Sequence, residues 1–267
     1  MALIGLNQVS RIYGEGATEV RALDCVDLTI EQGEIVALLG PSGSGKTTLL
    51  NVIAALDQPT DGDYSFEGTT VPKDNVESMT EFRRENIGYI FQFFNLLGDL
   101  TAIENIMLVQ ELSGNRDLEF AEKLLKDVGL EGLEHRFPSQ MSGGQRQRVA
   151  IARSLAKRPK MILGDELTGN LDTKTSKRVM ESLIDTCREN KMTTLFVTHD
   201  ASLTQYASRV IRLDSGNIVS DEQGGLSSIS GKAKTLVKDV KKSAQTIAED
   251  GVNMVKSVTS KATEIFR

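Results

Sequence analysis

The stretch Gly40-Pro41-Ser42-Gly43-Ser44-Gly45-Lys46-Thr47-Thr48 restricts this chain more than any other. It satisfies the pattern G-x-x-x-x-G-K-[ST] at each fixed position. Its neighbours supply the context the pattern needs: residues 34–39 form a short apolar run that reads as a buried strand, and residues 47–56 read as a helix. Glycines let such a loop turn tightly and aim successive N–H groups at one point, and the helix behind it adds the positive end of its dipole. Lys46 supplies a point charge for outer phosphates, and the Thr47 hydroxyl is placed to hold Mg²⁺.

Around this loop the chain alternates strands and helices. Residues 3–9 and 18–30 read as strands, with 11–16 as a turn between them that carries Tyr13. On position alone Tyr13 fits a surface turn or a platform for a flat base. The dense turn signal of Asp57–Asp63 precedes a hairpin strand at 64–68, and 77–84 reads as a short helix. Residues 87–91 are a strand ending at Gln92. From Thr101 to Gly129 the pattern is helical, with Leu118, Ala121, Leu124, Leu125 and Val128 on one buried face, so a helical insert interrupts the alternation.

Met141-Ser142-Gly143-Gly144-Gln145 is a second glycine-containing loop before a helix, at 146–156. It fits an anion-binding loop or a plain N-cap by Ser142. Residues 160–166 are an apolar strand ending in Asp165 and Glu166, which suits Mg²⁺ binding and water activation or a solvated turn. A helix at 173–189 leads to a strand at 193–200 that ends at His199; the other histidine, His135, sits in a polar surface stretch. Strands near 208–213 and 217–220 close the globular part. The phosphate loop, Gln92, Asp165-Glu166 and His199 thus all fall at strand ends. Ligands of open α/β sheets collect at the carboxyl ends of strands, so one nucleotide could meet all four.

Charge enters the argument through its distribution. The net charge is −6, which disfavours a nucleic-acid binder driven by bulk charge, yet residues 232–267 carry eight Lys/Arg against four Asp/Glu. That tail is therefore a separate unit. Cys25 and Cys187 lack metal or redox spacing and read as small core residues of a reducing compartment. No apolar run reaches membrane-spanning length and no cleavable signal is present, so any membrane crossing is expected of another chain.

Taken together, residues 3–222 resemble the nucleotide-binding subunit of an ABC transporter. The resemblance rests on a Walker A loop at Gly40–Thr48, a Walker B strand ending at Asp165, and a signature loop at Met141–Gln145 with Met141 where leucine is usual. It rests also on the Q-loop residue Gln92, the D-loop Gly169-Asn170-Leu171-Asp172 and the switch residue His199. It implies an α/β P-loop ATPase head (1–222) with an antiparallel β subdomain and a helical insert at about 95–158. A linker at 223–231 and an amphipathic helical tail at 232–267 follow. It also implies that Tyr13 stacks on adenine, that Gly40–Thr48 cradle the phosphates, and that Thr47, Gln92 and Asp165 hold Mg²⁺. Glu166 becomes the base, and His199, Gln92 and Lys46 its catalytic companions. Ser142, Gly143, Gly144, Gln145 and Asp172 reach the ATP of a second copy.

Phe91-Gln92-Phe93-Phe94-Asn95-Leu96 and Thr168-Gly169-Asn170-Leu171-Asp172 are similar to the lipoprotein-release and macrolide-export branch. Members of that branch serve a permease with few spans and a large extracytoplasmic domain. The expected function is an ATP-hydrolysing subunit, cytosolic and peripheral to the inner membrane, that powers a separate permease through ATP-driven closure of a homodimer. The apolar residues after Gln92 stand where the family docks its membrane subunit. The alternative is an ABC ATPase that regulates or scaffolds a membrane machine of the cell-division type. No nucleic-acid partner is expected. One departure stands out: the family reads Asp-Glu-Pro-Thr where this chain has Asp165-Glu166-Leu167-Thr168, and loss of the proline is expected to leave the turn after Glu166 freer. In the tail, Val237, Val240, Ala244, Ile247, Gly251, Val255 and Val258 recur at spacings of three and four among Lys, Ser and Thr. This pattern reads as a helix on an anionic membrane or a partner helix, as a coiled coil between copies, or as a polar tail.

Overall fold

The computed structural model describes residues 1–226 apart from 74 and 170, so the tail read at 232–267 and residues 227–231 of the linker lie outside the described residues. A first, antiparallel sheet is built from two long strands, β1 (Ala2–Tyr13) and β2 (Val20–Glu31), with β4 (Asp61–Phe66) and β5 (Thr69–Thr70), in the order β2-β1-β4-β5. A second sheet contains β3 (Ile35–Leu39), β6 (Ile87–Ile90), β7 (Met161–Asp165), β8 (Thr193–Val197), β9 (Arg209–Asp214) and β10 (Asn217–Gln223). Its order is β10-β9-β3-β8-β7-β6, parallel throughout except for β10. Every residue of β3 and β8 is buried, as strands covered on both faces require.

The helices are α1 (Lys46–Ile53), α2 (Val76–Asn86), α3 (Ala102–Leu112), α4 (Leu118–Asp127), α5 (Gly143–Leu155) and α6 (Thr173–Glu189). α1 buries Leu49, Leu50, Val52 and Ile53 under the sheet. Each such side chain contributes about 1.5–3 kcal/mol by leaving water. α2 places Phe82 edge-on to Tyr64 and Phe66, at centroid distances of 6.3 and 5.2 Å, tying the antiparallel sheet to the core. α6 buries Ser176, Val179, Met180, Leu183, Ile184 and Cys187, the spacing of a one-faced helix.

Four features differ from the sequence reading. Arg11, Ile12 and Tyr13 are not a turn: they pair with Leu23, Arg21 and Val20 at the end of β1, because register shifts on either side of Val9 let the ladder continue. Those shifts also turn Cys25 outward, at φ 48°, so it is exposed and only Cys187 is a core thiol, its pKa pushed up to about 11 by burial. The helical stretch 101–129 is broken between α3 and α4 by Gly114 at φ 70°, and Asp117 restarts it by accepting from Phe120 N at 2.9 Å. β10 runs one residue past the expected head boundary, to Gln223.

Candidate nucleotide-binding site

The phosphate loop leaves the carboxyl end of β3 and enters α1 through Gly45, at φ 101°. A Cβ on Gly45 would lie 2.2 Å from Ala22 O, and one on Gly40 would lie 2.1 Å from Leu213 O. The backbone of the loop therefore sits against both sheets, which only glycine permits. Ser44 accepts from Gly216 N at 3.0 Å, and Asp24 N donates to Gly216 O at 3.0 Å. Lys46 lies over the loop and donates to Gly40 O at 3.0 Å and Pro41 O at 2.6 Å. Burial lowers the pKa of its ammonium, against the opposing pull of Glu166 and Asp165. Pro41, Ser42, Gly43 and Thr47 are exposed, and Thr48 is half-buried at the first turn of α1.

The ends of β6, β7 and β8 bring the other strand-end residues together. Thr47 Oγ1 is 3.5 Å from Asp165 Oδ1. Burial raises the pKa of Asp165, with Glu166 adding to the rise, while Thr47 and Lys46 oppose it. Glu166 follows at φ 46° in the left-handed region, which turns its carboxylate back over the strand end. Gln92 Nε2 donates to its Oε2 at 3.1 Å, and His199 Nδ1 is 3.5 Å from its Oε1. Among the described residues no group of three or more His, Cys, Asp or Glu forms a metal nest. Thr47, Asp165 and Gln92 offer one hydroxyl, one carboxylate and one amide. Such a sparse oxygen set suits Mg²⁺, which keeps water and substrate phosphate in the rest of its shell.

Leu167 is not free. It is 4% exposed, and a Cβ on Gly164 would meet its Cδ1 at 2.8 Å, so packing occupies the turn after Glu166.

Tyr13 stands at the end of β1 with one face covered by the Arg11 guanidinium, 4.5 Å from the ring centroid. Its hydroxyl donates to Asp57 Oδ2 at 2.5 Å, and Arg11 pairs with the same carboxylate at 2.7 Å. Sequence reasoning missed Arg11 and Asp57 as supports of this ring; Asp57 was legible only as a turn residue. It missed Arg153 as well. That half-buried side chain of α5 donates to Phe94 O at 2.9 Å and also to Asn95 O, holding the segment after Gln92.

The second glycine loop is organised differently. Ser142 Oγ accepts from Gln145 N at 3.3 Å while Gln145 Oε1 accepts from Ser142 N at 2.8 Å, a full capping box at the start of α5. Gly143 lies beside Leu171, and a Cβ on Gly144 would lie 2.3 Å from Thr175 Cγ2. Asp172 caps α6, accepting from Lys174 N and Thr175 N at 3.1 Å each, and its pKa is lowered first by the Thr175 hydroxyl. Among the described residues none of Ser142, Gly143, Gly144, Gln145 or Asp172 hydrogen-bonds to the phosphate loop.

Of the residues after Gln92, Phe93 and Leu97 are exposed while Phe94 and Leu96 are half-buried. Beside them lies a cleft of about 350 Å³ lined by Leu56, Tyr89, Phe91, Asn95, Val109 and Lys157. No helix among the described residues is long and apolar enough to cross a membrane.

Comparison with known proteins identifies relatives of the chain. The ABC transporter family model matches residues 23–169. An uncharacterized ABC transporter ATP-binding protein of Methanocaldococcus jannaschii is 44% identical over 220 residues, spanning 81% of this chain and 98% of its own. The lipoprotein-releasing system ATP-binding protein LolD of Geobacter metallireducens is 41% identical over 82% of this chain and 99% of its own. The macrolide export ATP-binding/permease protein MacB of Pectobacterium atrosepticum is 43% identical over 83% of this chain but only 34% of its own length. A dimeric ATP-binding cassette, solved in a post-hydrolysis state with ADP and Pi, superposes with a TM-score of 0.75 at 38% identity, over 82% of this chain and 98% of that one. A loop with the phosphate-binding pattern, carboxylates at a strand end and these relatives converge: the chain belongs to the ABC transporter family as an ATP-binding, ATP-hydrolysing subunit.

Proposed function

We propose that two copies of this chain pair head to tail around two ATP molecules and drive a permease of the lipoprotein-release and macrolide-export branch. The observation that carries the reading is Glu166, turned back at φ 46° and held between Gln92 and His199, facing the loop that carries Lys46. Lys46 and the loop N–H groups take the β- and γ-phosphates. Tyr13, steadied by Arg11 and Asp57, stacks on the adenine. Thr47, Gln92 and Asp165 would hold Mg²⁺, which supplies charge neutralisation at the β- and γ-oxygens. Glu166 accepts the proton of the attacking water, and His199 contacts the γ-phosphate from the neighbouring strand. Ser142 serves the second copy's ATP: as a cap it accepts a hydrogen bond, so its own O–H remains available as a donor to phosphate. Gly143, Gly144, Gln145 and Asp172 complete that contact, and catalysis is chiefly positioning and electrostatics.

Transmission runs through α5. Arg153 grips Phe94 and Asn95, and the Arg146 guanidinium lies 5.2 Å from the Phe94 ring centroid, so a shift at the start of α5 is felt beside Gln92. The exposed Phe93 and Leu97 and the cleft beside them take the permease, which brings the subunit to the membrane. The relatives named for lipoprotein release and macrolide export support this branch.

The test is Glu166→Gln in the full chain. ATP binding is expected within about twofold of the unaltered protein, with turnover at least about a hundredfold lower and a dimer that persists in ATP on size exclusion. Retained turnover overturns the base. A monomer at saturating ATP, with turnover lost, overturns the pairing.

A further inference from the structure

We propose that Gly164 and Leu167 are a matched pair that positions Glu166, the leucine filling the space left by the missing Cβ of the glycine. The proposal rests on Glu166 as the base. Gly164 is the penultimate residue of β7, with Ile90 of β6 and Phe196 of β8 as its partners in the sheet. Its backbone is thereby fixed on both sides and cannot retreat from a neighbour. A Cβ there would lie 2.8 Å from Leu167 Cδ1 and 2.9 Å from both Cδ2 and Cγ. These distances leave no room for a methyl group while the leucine stays where it is. Leu167 is nonetheless 4% exposed, so it has no outward position that keeps its burial.

Between the two stands Glu166 at φ 46°, a conformation that a non-glycine residue holds only when its surroundings fix it. One fixed point precedes it, the strand at Gly164. The next follows it, the buried Leu167, with Gly169 N donating to Glu166 O at 3.1 Å closing the turn. A methyl at position 164 displaces Leu167 and carries the Glu166 backbone with it. Gln92 and His199 can then no longer hold the carboxylate in one place. Proline at 167 removes the branched Cδ pair that the methyl would meet and fixes its own φ by its ring. Leu167 and Gly164 are positioning residues, and each is tolerable because of the other.

The experiment compares Gly164→Ala, Leu167→Pro, the double variant and Glu166→Gln, measuring kcat, KM and the affinity for a fluorescent ATP analogue in the full chain. Gly164→Ala is expected to lower kcat about tenfold with affinity within about twofold, since the phosphate loop is untouched. The double variant is expected to recover to within about threefold of the unaltered protein. An unchanged kcat in Gly164→Ala, or a double variant no faster than Gly164→Ala, overturns the pair. Should Gly164→Ala fail to fold, Leu167→Ala removes the packed atoms without adding any. It is expected to lower kcat about fivefold at constant affinity, and an unchanged kcat there overturns the pair as well. Glu166→Gln separates the two ideas: turnover retained in that variant removes the base, whereas a silent Glu166→Gln beside a fully active Gly164→Ala removes only the pair.

Discussion

Two helices of this subunit begin in glycine loops, and they solve the problem of their first N–H groups in opposite ways. α1 starts at Gly45, which has no side chain to give, so no side chain caps its first N–H groups. α5 starts at Ser142, which with Gln145 satisfies its own helix end in a reciprocal box. The first loop is shaped within one chain, its backbone set against Ala22, Leu213 and Gly216. The second is content without ligand and has one hydroxyl proton to offer. In the proposed pairing, a loop of that kind adds its hydroxyl to a site formed by the other copy. In that proposed pairing the contrast makes binding and closing separate steps.

The sharpest way to break the contrast is at Gly45. Gly45→Ala should lower nucleotide affinity by over about a hundredfold, because the methyl enters Ala22 O and the backbone is left-handed there. A fluorescent-nucleotide titration with circular dichroism as the fold control measures it, and affinity within tenfold would mean that the loop is looser than described. Ser142→Ala should behave otherwise. Turnover is expected to fall about tenfold with single-chain ATP affinity within about twofold, and the loss of the cap should cost about 1 kcal/mol. Affinity falling as far as in the first variant would erase the difference between the loops. Asp57→Asn sharpens the picture at the base. It loosens Tyr13 and Arg11 together, and KM for ATP should rise about threefold with kcat unchanged; a kcat effect would place Asp57 in the chemistry instead.

Asp165 gives the smallest effect and a pH signature. Burial raises its pKa in the fold above the unfolded value, so stability from the protonated form is present below the unfolded carboxylate value and lost as pH rises through the raised one. Ionised Asp165 is thus a cost at neutral pH. Asp165→Asn, measured without metal, should raise Tm by about 2–4 °C at pH 7. The gain should shrink as pH falls toward about 4. A gain independent of pH would mean that the carboxylate is not the source.

Much of this was legible in the sequence because the site lies at or just past strand ends: Asp165 closes β7, while Gln92 and His199 follow two residues after β6 and β8, slightly later than the apolar runs suggested. The boundaries of α6 were legible for a similar reason: Asp172 caps one end and a one-faced apolar stripe runs to the other. What stayed hidden involves partners distant in sequence or a change of pleat. Tyr13 was read in a turn because nothing local reveals the register shifts that extend β1, nor that Asp57 will reach its hydroxyl. Cys25 was read as core for the same lack of a visible bulge. Leu167 looked like a loss because the sequence shows the missing proline but not the space over Gly164.

The hydrogen bonds that run from Asp24 to Gly216 and from Gly216 to Ser44 have a consequence in time as well as space. The loop that holds phosphate is shaped by contacts from a turn made near the far end of the globular part. At ribosomal rates of about 5–20 residues per second, the nascent loop waits about 10–30 s for Gly216 to be synthesised. Over that interval the chain carries a complete phosphate-binding motif without the backbone support that shapes it. The loop therefore reaches its described geometry only after the turn at Gly216 has been made and both sheets are in place.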